Sequence, residues 1–103
     1  MGPLAFLHRD NMYYVTGAID FVTAPAWLYA SRALFVAQQG QTLTLNFSEL
    51  AMSTNSAALA LMIEWIKLAS AHQVTLRFVS FPASLLSIAK ASGMMDLLRD
   101  YLS

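Results

Sequence analysis

Cysteine is absent from the 103 residues, which removes disulfides and thiolate metal sites and permits a reducing compartment without requiring one. Charge is scarce as well. Six basic and six acidic side chains make up 12% of the chain and cancel to a formal net charge of zero, against ~25% charged residues in an ordinary soluble domain. With no basic face to neutralise phosphates, nucleic-acid binding is excluded as a function class. No apolar run approaches the ~18 residues of a membrane-spanning helix; the longest candidate, Ala57 to Ile63, is stopped by Glu64 and Lys67. The chain also lacks a glycine-rich phosphate loop, a nucleophile elbow and an H-E-x-x-H pattern. It is therefore read as lacking ATP-binding or hydrolytic machinery of its own, and no cofactor or small-molecule ligand is expected. Met1-Gly2-Pro3 opens without the basic segment and apolar run of a signal peptide, and Phe6 stands where a myristoylation signal wants Ser or Thr. A cytoplasmic location is the expectation.

What the sequence has in excess is hydrophobicity: 57% of its residues are hydrophobic, against ~45–50% in typical soluble domains. At this length one modest core is the limit, so a single domain spanning residues 1–103 is expected. The surplus of apolar residues over that core points to a permanent partner. The two histidines, His8 and His72, have no carboxylate companion at ligand spacing, and are read as solvated or partner-facing rather than as metal ligands or bases. Of the six methionines, Met62 has helical spacing suited to core filling, while Met52 and the pair Met94-Met95 flank loops and suit an adaptable surface.

Along the chain, Leu4 to Leu7 and Met12 to Val15 are short apolar runs around the polar turn His8-Arg9-Asp10-Asn11, the pattern of a β-hairpin. Gly17 follows at a position where the chain must bend. Thr23 as N-cap, Pro25 in the first turn and Gly40 as stop signal predict a helix to about Gln38, with Trp27, Leu28, Ser31, Leu34 and Phe35 facing inward. Leu43, Leu45 and Phe47 alternate with Thr44 and Asn46 at strand spacing. A polar stretch, Ser53-Thr54-Asn55-Ser56, then leads into a helix from about Ser56 to Ala71, with Asn55 as its cap. Val74 to Val79 is a strand, Ala83 to Ala91 a helix ended by Ser92-Gly93 in a left-handed cap, and Met94 to Leu102 a final helix. Strands alternating with helices after a hairpin give an α/β domain with a mixed sheet and helices packed on it.

The helix after Ser56 carries two apolar stripes at about 100° per residue. Leu59, Met62, Ile63 and Ile66 form one, assigned to the sheet. Leu61, Trp65 and Leu68 form the other, with Ala58 beside it and His72 extending the line. The second stripe either packs under another part of the same chain or anchors another protein; an exposed patch centred on Trp favours the anchor. On that reading Trp65→Ala weakens partner binding and leaves the domain folded, and loss of folding would mark the tryptophan as core.

The hairpin, Gly17-Ala18-Ile19-Asp20, the run Leu43 to Leu50, the loop and helix start Asn55 to Leu61, and the closing segment Leu85 to Leu98 together resemble a STAS domain, over nearly the whole chain. Each motif is weak alone; their order and spacing are specific. The resemblance implies a small α/β binding module rather than an enzyme. In anti-sigma-factor antagonists of this family the loop before the second helix carries an Asp, then a Ser or Thr phosphorylated by a partner kinase. Here Asn55 takes the place of the acid and Ser56 that of the phosphorylated residue. Asn keeps the capping role and loses the carboxylate, which weakens the transfer of the switch.

Within the family, Leu59 to Ala69 with its Trp65 is most similar to the corresponding helix of MlaB-type subunits, the cytoplasmic STAS components of Mla phospholipid ABC transport complexes. That similarity implies an ABC-transporter ATPase as partner and a membrane association only through the transporter. Its contacts are expected at Ser53, Thr54, Asn55, Ser56, Ala58, Leu61, Trp65 and Leu68. The runner-up is an anti-sigma-factor antagonist switched at Ser56, whose hydroxyl lies either as a first-turn helix cap or as a phosphate acceptor at the positive end of the helix dipole. A stand-alone lipid or nucleotide carrier draws only on the apolar composition.

Overall fold

The computed structural model describes residues 5–51 and 55–102. Ala5–Arg9 (β1) and Met12–Thr16 (β2) pair antiparallel through the two-residue turn Asp10-Asn11, with φ of 53° and 63°. Both values are left-handed, as a type I′ hairpin demands, and Asp and Asn tolerate them better than most residues. The sequence placed the turn from His8 onward. Instead β1 continues through His8 and Arg9, because His8 pairs with Tyr13 and the two rings stack at 4.4 Å, extending the ladder.

After the hairpin come Ala24–Ala37 (α1), Thr42–Asn46 (β3), Ala57–His72 (α2), Thr75–Val79 (β4), Ala83–Ala91 (α3) and Met95–Leu98 (α4). The strands lie in the order β1-β2-β3-β4, with β2, β3 and β4 parallel. This is the mixed-sheet α/β architecture expected from the alternating pattern. Gly93 takes the left-handed cap after α3 (φ 77°), and the Met94 amide donates back to the Ala89 carbonyl at 2.8 Å. The expected final helix is shorter than read. It gives way after Leu98 to a 3₁₀ turn, Arg99–Tyr101, which brings the Tyr101 ring to 6.2 Å from Phe78 and lets Leu102 bridge the free edge of β4.

One face of the sheet is dry. Val15, Leu43, Leu45, Phe47, Leu76 and Phe78 are buried on it, while Thr75 and Arg77 alternate outward on β4. The helices cover that face. Phe6 of β1 meets Trp27 of α1 edge-on at 5.2 Å and Trp65 of α2 at 6.1 Å, and Trp65 also reaches Phe47 and Phe78. Within the helical layer α2 is the middle member, packed against α1 on one side and α3 on the other. Among the described residues α1 packs against α2 alone of the helices.

Candidate functional site

In open α/β sheets, ligands and partners meet the molecule beyond the carboxyl ends of the parallel strands, where the loops gather. Here those loops are the segments after β2 and after β3, and backbone bonds stitch them together. Gly17, at φ 101°, makes the bend that leaves its carbonyl open to the Ala51 amide at 2.8 Å, and the Ile19 carbonyl accepts the Asn55 amide at 3.1 Å. The start of α1 is held by its own side chains. Asp20 Oδ1 accepts the amides of Val22 and Thr23 at 2.9 and 2.8 Å, and Thr23 Oγ1 accepts the Asp20 amide at 3.0 Å. This reciprocal box makes Asp20, rather than Thr23, the capping residue. The Ala24 amide donates to the Asp20 carbonyl and closes the turn Phe21-Val22-Thr23 directly ahead of α1.

At the start of α2, Asn55 Oδ1 accepts the Ala57 amide at 2.9 Å, satisfying one of the orphan donors of the first turn. Asn55 is thus the cap that the sequence indicated. Ser56 stands exposed beside it in helical conformation and makes no side-chain cap bond. Ser53 and Thr54, with Met52, lie outside the described residues.

The rest of the expected contact surface needs correction. Trp65 is fully buried (0% exposed), and Ala58 and Leu61 are buried with it, while Leu68 is half-buried. The supposed partner stripe is core. The Trp65 indole N–H donates to Ser31 Oγ on α1 at 2.6 Å, and that hydroxyl donates to the Trp27 carbonyl at 2.5 Å. Ile63 and Ile66, assigned to the sheet, are only half-buried. The two stripes are flanks of one broad buried arc centred near Trp65 and Ala58. A helix with neighbours on both sides and a sheet beneath buries more than the usual stripe. The solvent side of α2 is Ala60, Lys67, Ser70 and Ala71, with Glu64 paired to Lys67 at 3.3 Å.

Among the described residues the most exposed large apolar side chains lie one helix over. Phe21 is 73% and Val22 87% exposed at the first turn of the α1 cap, and Tyr29 is 79% and Val36 56% exposed along its outer side. Between the first turns of α1 and α2 runs a shallow groove of about 380 Å³, floored by Ala24, Leu28, Ala57 and Leu61 and rimmed by Phe21 and Glu64. Asn55 and Ser56 adjoin its mouth in the chain. Sequence reasoning missed Phe21 and Val22. The signal was present in Asp20-Phe21-Val22-Thr23: two large apolar residues inside a capping box sit on a first turn, beyond the reach of the core.

Chemically the candidate site is an apolar groove. Apolar side chains and one carboxylate line it, and among the described residues no group of three His, Cys, Asp or Glu side chains could hold a metal. His8 is exposed on the sheet edge against Tyr13, and His72 half-buried in the last turn of α2, far apart in the fold. Met62 is fully buried, whereas Met94 and Met95 are half-buried against the core. Among the described residues no helix is long and apolar enough to cross a membrane. The family model of the STAS domain matches residues 5–103. No curated protein matches the chain.

Proposed function

Since the chain belongs to the STAS domain family, we propose that it is a non-catalytic docking subunit that binds the ATPase of a phospholipid-transporting ABC complex of the Mla type and supports its assembly or activity. On this reading it works in the cytoplasm and reaches the membrane only through the transporter. The observation that carries the proposal is the exposed apolar pair Phe21 and Val22 together with the apolar groove that Phe21 rims. A patch rimmed by polar groups at the loop end of a sheet is what protein partners use. Asn55 supports the transporter over the switch, because its side chain serves as a cap and supplies no carboxylate.

The test is co-purification with the ABC ATPase from the protein's own cell, followed by ATPase rates with and without this chain. A stable complex whose activity depends on the chain is expected. Phe21→Ala should weaken it by about 2 kcal/mol, the scale of an aromatic hot spot, and Ser56→Asp should disturb it while leaving the domain folded. Capture of a kinase or sigma-regulating protein in place of an ATPase would sink the proposal.

One observation favours the second reading. Ser56 is exposed on the first turn of a sixteen-residue helix, where a phosphate is stabilised by the helix dipole and would place about two negative charges at a docking surface. That is the arrangement an anti-sigma-factor antagonist needs. Intact-mass measurement across growth states decides it: a phosphorylated species at Ser56 supports the switch, and its absence in all states removes it. A lipid-carrier role would show as a stoichiometric lipid on organic extraction of the purified domain, and none is expected.

A further inference from the structure

The exposed side chains on α1 have a spacing that the groove at its N-terminus does not explain. Val22, Pro25, Tyr29, Arg32 and Val36 follow one another at steps of three, four, three and four residues. All five are exposed, and Ala26 and Ala33 flank the line. Alternating steps of three and four keep side chains on one seam of a helix, which is the signature of a surface built to pack lengthwise against a second helix at a shallow angle. On α1 itself the seam runs from Pro25 to Val36, and Val22 stands in the turn just ahead of it, which the Ala24 amide closes by donating to the Asp20 carbonyl. From Pro25 to Val36 it spans about 16 Å at ~1.5 Å per residue.

Arg32 selects the occupant. It is the one charged residue on the seam, and no carboxylate among the described residues pairs with it. A second copy of α1 laid antiparallel on the first would cross at Tyr29 and set each Arg32 against Pro25 and Ala26 of the other copy. Neither copy offers an acid on the seam, so both guanidiniums would be covered without a counter-charge, at a desolvation cost. A helix from another protein with an acidic residue at the crossing offsets that cost by supplying the counter-charge. Four side chains exposed as far as Phe21, Val22, Tyr29 and Val36 present on the order of 500 Å², below the ~800 Å² per partner of a standard interface. The seam therefore works as one part of a larger contact and continues from the groove beside Ser56.

We propose that the outer face of α1 is the seat for one amphipathic helix of the partner protein, apolar at alternating three- and four-residue steps and carrying an Asp or Glu where it crosses Arg32. This rests on the reading of the chain as a subunit of an ABC ATPase complex and names the element that the ATPase would contribute.

The experiment uses the full chain with the purified ATPase subunit. A photo-crosslinking benzophenone side chain is placed in separate variants at Ser56, Tyr29 and Val36, and the crosslinked peptides are identified by mass spectrometry. Crosslinks from Tyr29 and Val36 to points about one helical turn or two apart on a single ATPase helix with an acid between them are the expected result. With them, Arg32→Glu should lower affinity for the ATPase at least tenfold, and replacing the partner's acid by Lys should restore it. Crosslinks from Ser56 alone overturn the seam while leaving the docking function standing, and so does linkage of Tyr29 to a second copy of this chain. Absence of crosslinks from all three positions overturns both. Tyr29→Glu, whose fold is checked by circular dichroism, must behave as Arg32→Glu does; unchanged binding counts against the seam.

Discussion

α1 and α2 lie side by side on the same sheet, and each buries a tryptophan, but they dispose of their remaining apolar residues in opposite ways. α2 has helices on both sides and sheet beneath. Its aliphatic surplus, Leu61 on one flank and Leu59 on the other, disappears into neighbours, leaving Ala60, Lys67, Ser70 and Ala71 to water. α1 ends the helical layer, so Tyr29 and Val36 stay in solvent. Hydrophobicity by itself does not mark a docking helix. Position in the layer decides whether an apolar side chain is covered within the chain or left in solvent.

The comparison can be broken most directly at Trp65. Trp65→Ala should cost about 3–5 kcal/mol through lost burial and a cavity, a large share of the ~5–15 kcal/mol that holds a typical domain together. A urea melt reads this, and a variant with unchanged midpoint and weakened partner binding would return Trp65 to the surface. Ser31→Ala sharpens the same point at smaller scale. It strips the acceptor from the buried Trp65 indole N–H and should lower stability by about 1–3 kcal/mol, whereas a substitution that merely touched the outside of α1 would not. Asn55→Ala removes the α2 cap and should cost about 1 kcal/mol, with the loss confined to amide-exchange protection in the first turn of α2. Smallest is Tyr29→Glu, expected within about 0.5 kcal/mol of the parent in stability and yet deficient in partner binding. Should it destabilise the domain strongly, the seam on α1 would be core and the contrast between the helices would vanish.

Most of the architecture was legible from local pattern. Alternation at Leu43, Leu45 and Phe47 gave a strand because one face of the sheet is dry, and Asn55 could be named as a cap because its chemistry acts over two residues. The hairpin followed from two short apolar runs around a polar turn, and the structure adds that Asp10 and Asn11 take left-handed backbone there. The orientation of α2 was not legible in the same way. Two apolar flanks on a wheel look like two surfaces, and only tertiary neighbours reveal that they belong to one arc. A cue existed in Lys67, which marks the solvent side; the position opposite it on the wheel is occupied by Ala58 and Trp65. The site was half-read for a related reason. Asn55 and Ser56 were found through their place before a helix, while Phe21 and Val22 were passed over because exposed apolar residues on a first turn have no periodic signal of their own. Ser53 and Thr54, also among the expected contacts, lie outside the described residues.

The Ala18 carbonyl accepts both the Trp27 indole N–H and the Thr23 hydroxyl, each at 2.9 Å, across nine and five residues of chain. The Trp65 bond to Ser31 spans thirty-four. Loops of about ten residues close in ~10–100 ns, and closure entropy grows with loop length, so the two tryptophans belong to different moments of folding. The separations predict that the α1 start assembles on the end of β2 before α2 is recruited, so Trp27 substitutions should slow refolding more than Trp65 substitutions of equal equilibrium cost, a difference that φ-values from stopped-flow chevrons would measure.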